Sequence, residues 1–197
     1  MIVFRLLNPF WFLILWGCKS NFYSLPARIQ PGIVNMVVEI PAGTTLKTEF
    51  NPTTGKFEAA WVNGVPRKVQ YLPYPGNYGF IPSTVQSKEK GGDGDALDIL
   101  LLADAIPKER VIQVIPVAVL RLKDGGENDS KIIAVPANKN LRTIDCTQFT
   151  CIKENYPSVL TIIEVWFANY KGQSKVNVIG WGNETEADQE ISLCSIE

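Results

Sequence analysis

The chain has 197 residues, of which 46% are hydrophobic and 20% charged, enough for one domain with a sizeable core. Its formal net charge of −1 gives no general attraction to nucleic acid or anionic lipid. The chain contains no histidine, which excludes Ser-His triads and His-ligated zinc. Acid–base chemistry therefore falls to carboxylates, Lys, Tyr, Cys or metal-bound water.

The N-terminus differs from the rest of the chain. Arg5 precedes an apolar run at positions 10–16, which is too short to span a bilayer comfortably but suits the core of a signal peptide. The Leu-Trp-Gly-Cys sequence ending at Cys18 resembles a bacterial lipobox, although Trp16 stands where small residues are usual. We expect a lipoprotein-type signal peptide at 1–18 with Cys18 as the lipidated residue, followed by a tether at 19–32. The alternatives are a buried N-terminal helix and a wrongly assigned start.

Several segments alternate or are rich in β-branched residues, which predicts strands. They lie at positions 34–40, 46–50, 56–62, 99–102, 111–122, 132–135 and 176–181. Pro116 predicts a bulge or an edge within the longest of them. The stretch 73–79 is so rich in Pro and Gly that we predict no regular element there.

Two helices are predicted near the C-terminus. Apolar residues at 159–170 repeat every three and four positions, which makes one apolar face; Pro157 suits the first turn and Gly172 the C-cap. Asn183 and Glu186 are typical of a capping box that begins a second, shorter helix. Many short strands with few helices favour a mainly β (α+β) fold: a small closed barrel with helices packed outside.

Cysteine pairing is left open by the sequence. Besides Cys18, the chain has Cys146, Cys151 and Cys194. Cys146 and Cys151 either close a small loop by a disulfide in an oxidising compartment or are buried thiols that pack as small hydrophobes.

The most informative stretch is the acidic loop at 93–98, which carries Asp93, Asp95 and Asp98 just before the apolar run 99–102. Like charges this close repel, and a hard cation with oxygen ligands is the usual reason to gather them. A common site requires a bend, which Gly94 permits. An EF-hand is excluded, because Leu97 and Asp98 stand where a ligand and a glycine are needed. A solvated acidic turn is the plain alternative.

Other candidate residues are ambiguous when taken singly. Asp124 and Asp129 flank a glycine-containing loop that ends before Lys131, and a solvent-exposed hairpin is the simpler interpretation. Glu39 alternates with inward-facing residues, yet such an acid lies more often on the surface. Scattered cations are usually solvated, and tyrosines usually pack with one polar end exposed; those of interest are Lys47, Arg67, Lys68, Tyr78, Tyr170, Lys171 and Lys175.

The order of these motifs resembles that of family I soluble inorganic pyrophosphatases. The similar segments are VEIPA at 38–42, YPGNYGFIP at 74–82, DGDALD at 93–98, the loop from Asp124 to Lys131, and the pair Tyr170-Lys171. The resemblance covers positions 37–181. It implies an OB-like closed five-stranded barrel with two C-terminal helices, and hydrolysis of pyrophosphate to two phosphates by metal-activated water. The implied cofactor is Mg²⁺, as several ions, with Mn²⁺ as an alternative.

The resemblance also assigns roles to single residues. Asp95 is similar to the general base. The metal ligands are expected to be Glu39, Asp93, Asp98, Asp124 and Asp129. The pyrophosphate-binding groups are expected to be Lys47, Arg67, Tyr78, Tyr170 and Lys171, with Lys131 supporting the phosphate site. The chain departs from the family pattern at Ala96 and Gly125 and in the spacing after Arg67.

These features predict a pyrophosphatase domain at 33–197 in a homo-oligomer, with no nucleic-acid partner and membrane contact only through the lipid anchor. The predicted location is the bacterial cell envelope, whereas the usual location for the family is the cytoplasm. The alternatives are an OB-type binding module and a catalytically inactive metal-binding envelope protein. The acidic loops oppose nucleic-acid binding, which requires a basic groove with exposed aromatics.

Overall fold

The computed structural model describes residues 21–172 and 175–196. The strands are β1 Arg28–Gln30, β2 Ile33–Ile40, β3 Thr48–Asn51, β4 Lys56–Ala59, β5 Trp61–Val62, β6 Val65–Pro66, β7 Asn77–Phe80, β8 Asp98–Leu101, β9 Val111–Asp124, β10 Glu127–Asn128, β11 Lys131–Pro136 and β12 Val176–Asn183. The helices are α1 Phe149–Asn155, α2 Pro157–Asn169 and α3 Glu184–Cys194.

Five strands close on themselves, as predicted. Hydrogen bonding runs in the order β2, β7, β8, β11 and β9, and β9 pairs again with β2 to complete the ring. The β8–β11 pair is parallel and the other pairs of the ring are antiparallel. β12 adds to β9, and β1 adds to β2. Two small hairpins, β3–β4 and β5–β6, form separate two-stranded sheets.

The long strand β9 bends where proline was expected to disturb it. Along β11, Ile133 is opposite Ala118 but Ala134 is opposite Pro116, so Val117 is an extra residue. This is the β-bulge predicted at Pro116, which cannot donate to the ladder. The 14 residues of β9 pair with four strands, β2, β10, β11 and β12.

Alternate residues of the ring strands face two different cores, which explains their nearly continuous burial. On β11, Ile132 packs in the core that contains Ile191 of α3, whereas Ile133 packs in the core that contains Ile163 and Phe167 of α2. Both predicted C-terminal helices are present. Asn183 and Glu186 form the expected capping box, with N–H···O distances of 3.0 and 2.9 Å.

Three parts of the fold differ from the expectations. The stretch rich in Pro and Gly includes β7, which takes hydrogen bonds from strands on both sides. The helix α1 was not predicted. It has only seven residues, and its first N–H donates at 3.0 Å to the carboxylate of Glu184, which lies far away in the sequence. The described part of the tether segment packs on the domain, since Phe22 and Tyr23 contact an aromatic cluster that includes Phe50.

The structure resolves the open question about the cysteines. Cys146 and Cys151 form a disulfide, with their Cα atoms 5.6 Å apart, and Cys194 is a buried free thiol. Cys18 and the predicted signal peptide lie outside the described residues. Among the helices of the described chain, none is both long and apolar enough to cross a membrane.

Candidate active site

The predicted site residues converge on one open cavity of about 760 Å³. The ends of ring strands supply several of them: Asp98 begins β8, Lys131 begins β11, and Asp124 ends β9. All of the twelve predicted positions in the described chain line this cavity, namely Glu39, Lys47, Arg67, Tyr78, Asp93, Asp95, Asp98, Asp124, Asp129, Lys131, Tyr170 and Lys171.

A buried lysine joins the two acidic loops. Asp98 and Lys131 are register partners in the parallel β8–β11 pair, and the Lys131 ammonium donates hydrogen bonds to the carboxylates of Asp98 and Asp129. Lys131 is only 1% exposed. Burial opposes its charge, but Asp98 and Asp129 outweigh burial and raise the pKa of Lys131 above its ordinary value. Burial likewise raises the pKa of Asp129, although Lys131 opposes that shift.

The loop 93–97 bends as the clustering of its acids requires. Gly94 has φ +90°, the left-handed region that glycine favours, and Asp93 accepts a 2.9 Å hydrogen bond from the Asp95 N–H. The side chain of Asp95 is left facing the cavity. Desolvation, followed by the nearby charges of Asp93 and Asp98, raises the pKa of Asp95, which brings it closer to the range useful to a general base.

Glu39 is the most buried acid of the cavity after Asp129. Its Oε1 accepts a hydrogen bond from the Phe50 N–H at 2.7 Å, so the hairpin β3–β4 fixes its orientation. Burial raises the pKa of Glu39 to about 8 despite that hydrogen bond, with a smaller contribution from the charge of Asp98. A carboxylate in such a place is stabilised by a nearby cation.

Positive groups stand among the acids of the cavity. Lys47 pairs with Glu49 at 2.7 Å, and Lys171 pairs with Asp124. Burial, then the nearby cations Arg67 and Lys47, lowers the pKa of Lys171 to about 8. A bound anion would therefore stabilise the charged form of Lys171.

Both predicted tyrosines also line the cavity. Burial raises the pKa of Tyr78 and of Tyr170 well above the usual range of phenols. Both groups therefore stay protonated at neutral pH and are able to donate hydrogen bonds.

The donor chemistry of the cavity fits divalent cations. Eight acidic side chains line it against four basic ones, and carboxylate oxygens are the ligands that hard cations prefer. Within the described residues, no three acidic, Cys or His side chains stand close enough to enclose a cation unaided. The lysines instead contact four of these carboxylates, those of Glu49, Asp98, Asp124 and Asp129. Cation binding at any of them requires the ion pair to open or to share its oxygens.

Three ionisable lining residues were missed from the sequence. Glu49 follows Lys47 by two positions, a spacing that puts two residues on one face of an extended chain, and the two side chains form an ion pair in the cavity. Glu127 belongs to the second acidic loop but was not singled out. Tyr23 lies in the segment interpreted as a tether, and no signal in that segment indicates a cavity.

The chain resembles known proteins over most of its length. A family model described as inorganic pyrophosphatase matches residues 36–196. The inorganic pyrophosphatase of Sulfolobus acidocaldarius is 34% identical over 181 residues, which cover 85% of this chain and 92% of that protein. Inorganic pyrophosphatase 1 of Pseudomonas syringae pv. tomato is 33% identical over 179 residues, covering 87% and 94%. The crystal structure of inorganic pyrophosphatase from Thermus thermophilus matches with a TM-score of 0.75 and 31% identity, covering 89% and 97%.

The chain therefore belongs to the family I soluble inorganic pyrophosphatases. It is a hydrolase that cleaves pyrophosphate into two phosphates, and the enzymes of this family generally use divalent metal ions. The predicted fold class, function and enzyme class are confirmed, and neither the binding module nor the inactive metal-binding protein is favoured.

Proposed function

We propose that the cavity is the site of pyrophosphate hydrolysis and that its residues act in three groups. Asp95 is the general base. The divalent cations, Mg²⁺ by preference, are held by Glu39, Asp93, Asp98, Asp124 and Asp129. Pyrophosphate is bound by Lys47, Arg67, Tyr78, Tyr170 and Lys171, with Lys131 as support. The observation that carries this proposal is the convergence of all these positions on one cavity.

Charge explains why acids and cations are interleaved in the cavity. Pyrophosphate carries several negative charges, so a wall of carboxylates alone would repel it. When bound, divalent cations neutralise phosphoryl charge and make water a better nucleophile. Lys47, Arg67 and Lys171 pair with phosphoryl oxygens, and Tyr78 and Tyr170 donate neutral hydrogen bonds.

Two residues of the chain have the chemistry that the remaining roles demand. Asp95 lies in the cavity with a raised pKa and with no donor hydrogen-bonded to its carboxylate in the described part of the chain, so its oxygens are free to accept a proton. Lys131 is held by Asp98 and Asp129 and keeps the ends of β8 and β11 together while substrate and product exchange.

Phosphate release from pyrophosphate tests the proposal directly. We expect the purified chain to release two phosphates per pyrophosphate with Mg²⁺, and to lose that activity almost entirely when EDTA removes the metal. Restoring excess Mg²⁺ is expected to restore the rate, and a parallel series with Mn²⁺ ranks the two ions. Metal-independent turnover at the same rate would contradict the role given to the carboxylates.

We further propose that the enzyme is anchored in the bacterial cell envelope through a lipid on Cys18. The apolar run before Cys18 supports the proposal, and so does the Cys146–Cys151 disulfide, because disulfides persist mainly in oxidising compartments. Mass spectrometry of the native N-terminus is expected to find a mature chain that begins at a lipid-modified Cys18. Detection of an unmodified N-terminal Met1 in the native protein would instead favour the cytoplasm.

A homo-oligomer stays a prediction as well. Ile162 and Val165 lie one turn apart on α2 and are both exposed, and self-association would cover them. Light scattering of the purified chain measures its mass in solution.

A further inference from the structure

A buried glutamine lies between the two acidic loops and has no role in the assignments above. Gln86 is 5% exposed. Its N–H donates to the Asp95 carbonyl at 2.7 Å, and its own carbonyl accepts from the Gly94 N–H at 2.8 Å. The backbone of Gln86 therefore holds the bend of the first acidic loop from both directions.

The side chain of the same residue holds the second acidic loop. Its Oε1 accepts a hydrogen bond from the Ser130 N–H at 3.1 Å. Ser130 is buried and stands between Asp129 and Lys131, which carry the central ion pairs of the cavity. Gln86 is therefore hydrogen-bonded to Gly94, which follows Asp93 in the first loop, and to Ser130, which follows Asp129 in the second loop.

The first loop fits closely around Gln86. A Cβ atom added at Gly92 would lie 2.5 Å from the Gln86 carbonyl oxygen and 2.9 Å from its Cβ, so a larger residue at Gly92 would push the loop away. Asn128 provides a second link on the exposed side, since its N–H donates to the Gly91 carbonyl at 2.7 Å and its Nδ2 donates to the Lys90 carbonyl at 3.2 Å. The loops are joined at a buried point and at an exposed one.

The amide of Gln86 is retained although it is not fully satisfied. In the described residues, its Nε2 is the one buried side-chain polar atom without a hydrogen-bond partner. An unmade buried hydrogen bond destabilises a fold, whereas an apolar side chain of the same length would bring no such penalty. The residue is therefore not explained by packing alone, and the bond from Oε1 to Ser130 is the interaction that only an acceptor supplies.

We propose that Gln86 is a positioning residue that fixes the distance between the two acidic loops and thereby sets the affinity of the site for divalent cations. The inference rests on the metal ligands assigned under the proposed function. Partners that orient ligating carboxylates commonly change metal affinity by 10–100-fold when they are removed. Gln86 is not among the residues that line the cavity, and it acts through the loops that carry Asp95 and Asp129.

Calorimetric titration of the metal-free full chain with Mg²⁺ tests this role. Gln86→Met keeps the length of the side chain and removes the acceptor, so we expect Mg²⁺ to bind about 10-fold more weakly. The Mg²⁺ concentration that gives half-maximal phosphate release is expected to rise by the same factor, while the rate at saturating Mg²⁺ stays within about 2-fold. Wild-type Mg²⁺ affinity in Gln86→Met would overturn the proposal.

Asn35→Leu is the matched control. Asn35 is also a buried amide, and its Nδ2 donates to the Pro26 carbonyl at 2.8 Å outside the cavity. We expect this variant to unfold at a lower temperature with unchanged Mg²⁺ affinity. An equal loss of Mg²⁺ affinity in both variants would mean that the effect of Gln86→Met comes from general destabilisation of the fold, and it would overturn the proposal.

Hydrogen exchange of the metal-free wild-type chain tests the bond even if Gln86→Met does not fold. The Ser130 amide is expected to be protected before Mg²⁺ is added, and rapid exchange there would overturn the inference. Absence of Mg²⁺ binding by the wild type would overturn the ligand assignment itself, and this inference with it, whereas normal binding by both wild type and Gln86→Met would overturn the inference alone.

Discussion

Asp95→Asn is expected to lower the rate of pyrophosphate hydrolysis by about 10²–10⁴-fold at saturating Mg²⁺. The change removes the proton acceptor but keeps the size of the side chain. The fold should persist, because the Asp95 backbone contacts to Gln86 and Asp93 do not depend on the carboxylate. Phosphate release, the thermal unfolding curve and calorimetric Mg²⁺ binding together check the three parts of this expectation.

Asp104→Asn provides the same chemical change away from the cavity. Asp104 is exposed and does not line the cavity. Its backbone carbonyl accepts a hydrogen bond from the Asn77 side chain at 2.9 Å, and this bond does not involve the carboxylate. We expect the control to hydrolyse pyrophosphate at the wild-type rate. A near wild-type rate in Asp95→Asn would refute the assignment of Asp95 as base and direct attention to Glu39 or Glu49.

Lys131→Met is expected to lower the free energy of unfolding of the metal-free protein by about 3–5 kcal/mol. The substitution leaves the carboxylates of Asp98 and Asp129 in the same cavity without the ammonium group that both contact. Saturating Mg²⁺ should return part of this loss, because a bound divalent cation would supply positive charge to the cavity in place of the ammonium group. Urea unfolding with EDTA and with Mg²⁺ measures both quantities.

Lys139→Met is the control for Lys131→Met, because it makes the same substitution at a lysine on the surface. Lys139 pairs with Asp145 on the surface at 3.1 Å, and its side chain is 74% exposed. Exposed ion pairs contribute little, so this variant should unfold like the wild type with and without Mg²⁺. If Lys131→Met also unfolded like the wild type in EDTA, the buried ion pairs would not stabilise the fold.

Local sequence patterns predict most of the strands for a clear physical reason. Alternation and β-branched residues mark β2, β9, β11 and β12, because each buries at least one face of a pleated strand. The same patterns do not predict β7. Its residues Asn77 and Gly79 are poor strand formers, and the strand exists because β2 and β8 offer hydrogen bonds on its two sides.

Tertiary contacts also explain the missed helix. α1 has seven residues and no side-chain N-cap bond, so its sequence alone does not favour a helix. It is stabilised by the Glu184 carboxylate at its first N–H and by the disulfide that joins its Cys151 to Cys146. Neither partner is visible in a local pattern.

In the site as well, the sequence predicts some residues, and others are found only from tertiary contacts. Motif order identifies the acids, because the loops that carry Asp93 and Asp129 each have a distinctive pattern of glycines and carboxylates. It does not identify the pairing of Lys131 with both loops, which arises from the parallel register of β8 and β11. Nor does it reveal Gln86, whose sequence neighbours carry no recognisable motif.

The position of Tyr23 has a consequence for where the enzyme works. Tyr23 lines the cavity and lies only five positions after Cys18, a separation of at most about 18 Å for a fully extended chain. If Cys18 carries a lipid, the mouth of the active site is confined to a thin layer of solution next to the bilayer. Pyrophosphate released by reactions at that surface would then be destroyed before it diffuses away, and the catalyst would act as a local sink instead of a scavenger of the whole compartment.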